Sequence, residues 1–149
     1  MKQIFWIAAA VFGIDVLTKW GTTVFLADQS IRLWKLVELK LTKNTGMALG
    51  LFANQQILGL ILPPVVILLS YFLMRKYKST AFTRTSYGLI LGGFLGNFLE
   101  RLVHGYVTDM IFLPWMPWFV CNAADIAICA GVFLLAISLL FRPKDWQEG

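Results

Sequence analysis

The sequence predicts a mainly α-helical membrane protein with four transmembrane helices and a small β-sheet on the outer face of the membrane. Hydrophobic residues make up 58% of the 149 residues and charged residues only 14%, and the mean hydropathy is +0.72, outside the usual range of soluble domains. The apolar residues form four runs, and a hydrocarbon core of about 30 Å requires about 20 such residues per helix. We therefore expect residues 1–149 to form one integral membrane domain without a large soluble part.

The first apolar run, Ile4–Thr22, follows Lys2 and so also has the pattern of a secretory signal peptide. Asp15 and Lys19 interrupt this run four residues apart, which puts them on one face of a helix, where they can pair. No cleavage site of small residues with a hydrophilic continuation follows. We expect a retained first span in which the two residues form a structural pair or snorkel to the outer interface.

The chain between Ala27 and Gln56 is of mixed polarity and is predicted to lie on the outer face. Apolar and polar residues alternate from Val37 to Thr42, which is the period of a strand with one buried face. This pattern predicts a small sheet on the membrane surface. Asn44, Gly46 and Gly50 follow the strand and permit tight turns.

The second span is predicted at Ile57–Met74, with a kink at Pro63 and Pro64 because proline removes a backbone donor. The charge distribution then sets the topology. Seven of the 13 basic residues flank the span ends on one side, namely Lys2, Arg75, Lys76, Lys78, Arg84, Arg142 and Lys144. This bias makes both termini cytoplasmic. The net charge of +5 forms no single basic stripe, so we expect no nucleic-acid partner.

The third span, Ser86–Val103, has one face that is small and then polar. Glycines recur every four residues and let another helix approach closely, and the row continues through Gly88, Gly92, Gly96, Glu100 and His104. A neighbouring row holds Gly93, Asn97 and Arg101. The fourth span, Asn122–Phe141, follows an aromatic turn with Trp115 and Trp118 that suits the headgroup level.

Charged groups within apolar spans cost a few kcal/mol or more and are therefore functional candidates. Asp109 lies just past the outer end of the third span and Asp125 about one turn into the fourth. Two carboxyls brought together there share a proton and titrate in coupled steps, so that one acts as base and the other as acid, as in an aspartic protease. With one histidine, His104, and no HExxH motif, we expect neither a metal ion nor another cofactor. A small proton-coupled transporter or channel is the alternative function, and a non-catalytic membrane adaptor is a third.

Five sequence blocks resemble the successive signature blocks of the lipoprotein signal peptidase family, also named signal peptidase II. They are DVLTK, NTGMALG, GGFLGNFLER, VTDMI and CNAADIAI, in family order. The resemblance implies an aspartic endopeptidase of the bacterial inner membrane, with four transmembrane helices and a periplasmic sheet. Such enzymes remove the signal peptide from prolipoproteins by cutting before a diacylglyceryl-modified cysteine. The implied partners are those prolipoproteins, membrane lipids and a globomycin-type inhibitor.

By this resemblance, Asp109 of VTDMI and Asp125 of CNAADIAI match the catalytic pair at the periplasmic face. The residues that match substrate-binding or dyad-supporting positions are Asn44, Asn97, Arg101, Asn122, Ala124, Asp15 and Lys19. Three residues depart from the family pattern: Glu100 stands where Asp is usual, Cys121 where Phe is usual and Ile126 where Ser is common. None of them removes a carboxylate of the pair.

Overall fold

The computed structural model describes residues 2–45, 56–77 and 79–148. The predicted turn residues Gly46 and Gly50 and the basic residue Lys78 lie outside these ranges. The four long helices are α1 (Lys2–Phe25), α2 (Gln56–Lys76), α3 (Ala81–His104) and α4 (Ala123–Phe141). The four strands are β1 (Ser30–Leu33), β2 (Val37–Asn44), β3 (Val107–Phe112) and β4 (Val120–Cys121). The predicted mainly helical fold with a small antiparallel sheet is thus confirmed.

The helices match the predicted apolar runs, and α3 begins five residues before its predicted start because of its cap. The Thr80 hydroxyl accepts a hydrogen bond from the backbone N–H of Thr83, and the Thr83 hydroxyl accepts one from the backbone N–H of Thr80. This reciprocal pair satisfies backbone donors at the helix start. The helix stops at Gly105, whose φ of 76° is left-handed and is readily adopted only by glycine.

Among the described residues, α1 and α4 are long and apolar enough to cross a bilayer, judged by length and composition. α2 runs as one helix through Pro63 and Pro64, and a kink there stays a prediction. The arrangement of four spans also stays a prediction.

α3 is the central helix, because it packs against α1, α2 and α4. Its two glycine rows face different neighbours. A methyl group at Gly92 would lie 2.6 Å from the carbonyl oxygen of Ala8 in α1, and one at Gly93 would lie 2.5 Å from the carbonyl oxygen of Ala124 in α4. The predicted close packing along α3 therefore brings both outer helices within backbone contact.

The sheet is antiparallel with strand order β1-β2-β3-β4. β2 is the strand that the alternation predicts, whereas β3 and β4 were not predicted. Thr42 pairs with Asp109 and Asn44 with Val107, although α2 and α3 separate β2 and β3 in sequence. This pairing carries Asn44 and Asp109 to the same end of the molecule as the start of α4.

Candidate active site

Five of the nine predicted site residues line one cavity of about 230 Å³ where the sheet meets the helices. These five are Asn44, Asn97, Arg101, Asp109 and Asp125. The remaining wall is mostly apolar and is formed by Leu62, Pro63, Phe94, Val107, Phe119, Val120, Cys121, Ile128 and Cys129. The cavity therefore joins a polar end with two carboxyl groups to an apolar wall contributed by α2, α3 and α4.

Asp109 is buried in β3 and both of its carboxylate oxygens accept hydrogen bonds from asparagine amides. Asn122 Nδ2 donates to Oδ1 at 2.7 Å and Asn44 Nδ2 donates to Oδ2 at 2.9 Å. Burial, followed by the charge of Asp125, raises the pKa of Asp109 from 3.8 to about 7, against the opposing effect of the two amides. Near neutral pH this carboxyl exchanges a proton readily, as a general acid or base must.

Asp125 is fixed by the cap at the start of α4. Its backbone N–H donates to Asn122 Oδ1 at 2.9 Å, and the Asn122 backbone N–H donates to Asp125 Oδ2 at 3.1 Å. The other carboxylate oxygen, Oδ1, accepts from Asn97 Nδ2 at 2.8 Å. A capping box of this kind holds the carboxylate relative to the helix end, so little rotational freedom remains to Asp125.

Two amides connect the two aspartates. Asn122 Nδ2, besides its bond to Asp109, donates to Asn97 Oδ1 at 3.1 Å, and Asn97 in turn donates to Asp125. Asn122 is fully buried. The hydrogen bonds of Asn97 and Asn122 therefore run directly from one candidate catalytic carboxylate to the other.

The predicted ion pair of Asp15 and Lys19 is present, with Lys19 Nζ 2.7 Å from Asp15 Oδ2. Both side chains are buried, which excludes the interpretation that they snorkel to the interface. Lys19 Nζ also lies 2.9 Å from Asn97 Oδ1, so the pair supports the amide that holds Asp125. The second oxygen of Asp15 accepts from the Ala124 backbone N–H at 3.0 Å, which explains Ala124 as a backbone contact.

Glu100 is the residue whose role the sequence reasoning missed, since it appeared there on the polar part of the glycine row and as a departure from the family pattern, with no contact assigned to it. Its Oε1 accepts the Thr108 backbone N–H at 3.1 Å, and its Oε2 lies 2.9 Å from Lys19 Nζ. Glu100 thereby ties the residue before Asp109 to the buried lysine. Its place on the glycine row that faces α1 is the signal that pointed towards Lys19.

Arg101 is buried in the cavity wall, and its charged neighbours are Asp109, Asp125 and Glu100. In the part of the chain that the structure describes, no three His, Cys, Asp or Glu side chains are grouped so as to hold a metal ion. Besides the thiols of Cys121 and Cys129, the ionisable groups that line the cavity are the two aspartates and one guanidinium.

Comparisons with known proteins point to one family. The profile described as signal peptidase (SPase) II matches residues 7–141. The lipoprotein signal peptidase of Actinobacillus succinogenes is 35% identical over 89% of this chain and 86% of its own, and that of Enterococcus faecalis is 31% identical over 97% and 92%. A solved structure described as a bacterial membrane enzyme is 25% identical with a TM-score of 0.78 and covers 95% of both chains. A second, 24% identical with a TM-score of 0.81 over 100% of this chain and 94% of the other, shows the same fold.

Proposed function

Because this chain belongs to the signal peptidase II family of lipoprotein-processing proteases, we propose that it cleaves prolipoproteins by an aspartic mechanism in which Asp109 and Asp125 are the catalytic pair. The substrate is a prolipoprotein whose cysteine carries diacylglycerol, and the bond cut is the one before that cysteine. The observation that carries the proposal is that both carboxyls line one cavity, where the charge of Asp125 contributes to raising the pKa of Asp109.

The proposed reaction needs one ionised and one protonated carboxyl. The ionised carboxylate takes a proton from a water molecule as the water oxygen bonds to the scissile carbonyl carbon, and the protonated carboxyl donates to the carbonyl oxygen. When the C–N bond breaks, the leaving nitrogen receives a proton from the pair. Since the two groups interact, the titration belongs to the pair, and we expect a bell-shaped dependence of turnover on pH.

The apolar wall of the cavity suits the apolar part of a signal peptide. Phe94 lies one turn before Asn97 on α3, and Ile128 lies one turn after Asp125 on α4, so both extend the cavity along the helices away from the sheet. A peptide bound with its cleavage site at the aspartates would lay its apolar residues against this wall. The lipid-bearing cysteine would then remain at the membrane surface.

We further propose a single membrane domain with four spans in the bacterial inner membrane. Both termini are cytoplasmic and the catalytic pair lies at the periplasmic face, as the basic residues at the span ends predict. The diacylglyceryl group holds the substrate cysteine at the outer leaflet, which is the depth of the first turn of α4. The topology and the chemistry therefore agree on the depth of the bond that is cut.

The test uses purified protein with a diacylglyceryl-modified prolipoprotein beside the unmodified precursor. We expect cleavage of the modified precursor only, and a loss of about 10²- to 10⁴-fold in kcat for Asp109→Asn and for Asp125→Asn, because each removes a proton-transfer group. Asp28→Asn changes an exposed acid of the outer segment and is the control, with turnover within about twofold.

Turnover near that of the wild type in either dyad variant would refute the assignment. Globomycin should block cleavage by the wild-type protein. Proton or ion flux in proteoliposomes that depends on the same two aspartates, without any peptide cleavage, would instead favour a transporter.

A further inference from the structure

Two turns lie at the same end of the outer sheet. Residues 34–36 join β1 to β2, and residues 113–119 join β3 to β4. Glu38 pairs with Phe112, so the antiparallel register brings both turns to one end. Asn44, which contacts Asp109, lies at the other end of β2.

Large apolar side chains are exposed at this end of the sheet. Trp34 is 87% exposed, Leu36 59%, Trp115 60% and Trp118 62%, and we term these four side chains the tryptophan end. A group of this size on a surface indicates an interaction site. Indole rings, which are apolar but carry one N–H donor, are enriched where a membrane meets water.

Trp34 also has an unfavourable backbone conformation. Its φ is 62°, and among the described residues it is the one non-glycine residue with a positive φ. Bulky side chains rarely adopt this left-handed region, which favours glycine or asparagine. A tryptophan that is 87% exposed buries little of its ring within the fold, so its place at a turn with a positive φ points to a contact outside the protein.

We propose that the tryptophan end lies in the headgroup layer of the outer leaflet, so that the sheet runs along the membrane surface rather than away from it. The inference rests on the topology of the proposed function, in which the sheet is on the outer side. It adds which end of the sheet enters the headgroup layer and which side chains contact the lipids there.

The short connection to α1 supports the lipid layer as the partner. α1 ends at Phe25 and β1 begins at Ser30, so four residues separate the helix from the strand. The step from Ser30 to Leu33 spans about 10 Å at about 3.3 Å per residue, whereas the headgroup layer on each side is only about 5–8 Å thick. An upright strand would lift Trp34 out of the headgroups, and a strand along the membrane keeps it among them.

The charges and the neighbouring surface fit lipid as well. Arg32 and Lys35 flank Trp34 and are exposed, with Arg32 loosely paired at 3.8 Å to Glu38, and cations at this depth attract lipid phosphates. The last turns of α1 expose Trp20 and Phe25, which continue the same aromatic belt. Sheet and helix thus both expose aromatic side chains on the side of the proposed interface.

The first experiment measures the depth of Trp34 without using activity. The full-length protein is placed in lipid nanodiscs that contain phospholipids brominated either near the headgroup or near the chain end. The emission of Trp34 is obtained as the difference between the wild-type protein and Trp34→Phe. Lipids brominated near the headgroup should quench this emission more than lipids brominated near the chain end, and aqueous iodide should quench it only weakly. Trp146→Phe is the control, because this half-buried ring lies just past the C-terminal end of α4 and packs on Tyr77, so it should be quenched less than Trp34 by the lipids brominated near the headgroup.

Trp34 emission that iodide quenches and neither lipid quenches would overturn the proposal. Lipid quenching that falls when more copies of the protein are placed in each nanodisc would also overturn it, because that result would assign the surface to a second copy of the chain.

The second experiment uses Trp34→Gly, which removes the ring and accepts the positive φ. We expect its thermal midpoint in detergent micelles to be equal to or above that of the wild type, because the backbone strain is relieved. In nanodiscs, the apparent KM for the lipidated precursor should rise severalfold with kcat within about twofold, since the sheet is less well held over the membrane. An unchanged KM in nanodiscs contradicts the inference.

The two proposals fail separately. Loss of the lipid quenching with intact, aspartate-dependent cleavage refutes the tryptophan end alone. Shallow lipid quenching in a protein that cleaves no prolipoprotein refutes the proposed function and leaves the surface assignment standing.

Discussion

A methyl group added at Gly93 tests how closely α3 and α4 must approach to hold the candidate catalytic pair. The added Cβ would lie 2.5 Å from the Ala124 carbonyl oxygen and 2.7 Å from Ile128 Cγ1. Ordinary contacts begin near 3.4 Å, and the first of these atoms belongs to the backbone. The start of α4 must therefore move about 0.9 Å away from α3.

A displacement of this size acts directly on Asp125, which follows Ala124 in the chain. The hydrogen bond from Asn97 Nδ2 to Asp125 Oδ1 is 2.8 Å long, and a further 0.9 Å would take it beyond hydrogen-bond distance. Misplacement of a reacting group by about 1 Å costs about 10²-fold in rate. Overpacking in the helix interface costs about 1–3 kcal/mol in addition.

The assay compares three glycine-to-alanine variants for turnover of a lipidated precursor and for thermal unfolding in detergent. Gly93→Ala should lose about 10²-fold in kcat. Gly131→Ala creates a similar backbone clash, 2.7 Å from the Ser86 carbonyl oxygen in the same helix pair, but away from Asp125, so it should lose stability with kcat within about fivefold. Gly13→Ala in α1 meets nothing within 4 Å and should be neutral or slightly stabilising, because alanine favours helix by about 1 kcal/mol.

Equal turnover in folded Gly93→Ala and Gly13→Ala would refute the reasoning, since the close approach would then not position Asp125. An equal loss of kcat in Gly131→Ala would refute its local character. The comparison at a temperature where all three variants remain folded separates the two effects.

Three further predictions follow from individual contacts. Asp109→Asn should raise the thermal midpoint, and the increase should grow from pH 4 to pH 8. The reason is that burial raises the pKa of Asp109 from 3.8 to about 7. The stability that this carboxyl contributes is therefore complete below about pH 4 and lost by about pH 7, and it amounts to at most on the order of 4 kcal/mol. Glu100→Gln keeps an acceptor for the Thr108 N–H but loses the ion pair with Lys19, so it should lower stability by about 1–3 kcal/mol, whereas the shorter Glu100→Asp should lower kcat at least about tenfold. Asp145→Asn should cost about 1–3 kcal/mol at pH 7, since the buried carboxylate accepts hydrogen bonds from neighbouring side chains, and turnover should not change.

Each of these predictions has a clear contrary result. A pH-independent difference for Asp109→Asn would mean that ionisation of this carboxyl does not oppose folding. His104→Gln changes an exposed side chain one turn further along α3 and is the control for Glu100. If both Glu100 variants have the same rate and stability as this control, Glu100 has no positioning role. Burial alone would raise the pKa of Asp145, but hydrogen bonds from Arg142 and Ser138 lower it. The loss of stability in Asp145→Asn should therefore persist above about pH 4 and vanish as the pH falls well below that value.

Hydropathy predicted the helices well because long apolar runs are a property of local composition. The starts of α3 and α4 required the caps of Thr80 and Asn122, which local sequence also encodes. β3 and β4 were missed for a different reason. They have six and two residues, and β3 is a strand only because β2, more than sixty residues earlier, pairs with it.

The same division applies to the candidate site. Asp109 and Asp125 were found because an acid among apolar residues is costly and therefore conspicuous. Glu100 was not assigned a role because its partner is the Thr108 backbone N–H, whose position depends on the path of β3. Contacts between a side chain and a distant backbone leave no residue pattern in the sequence.

Four acids meet at this end of the molecule: Asp15 and Asp109 are buried, and Glu100 and Asp125 are half-buried. Their hydrogen-bond partners distinguish the acids that support the site from the two that are proposed to react. Asp15 and Glu100 lie against the ammonium of Lys19 at 2.7 and 2.9 Å, so each forms an ion pair with the same buried cation. Asp109 and Asp125 are held on their oxygens by amides of asparagine and by backbone N–H, which carry no net charge. These neutral donors orient the two carboxyls without neutralising their charge, which suits groups that act as acid and base.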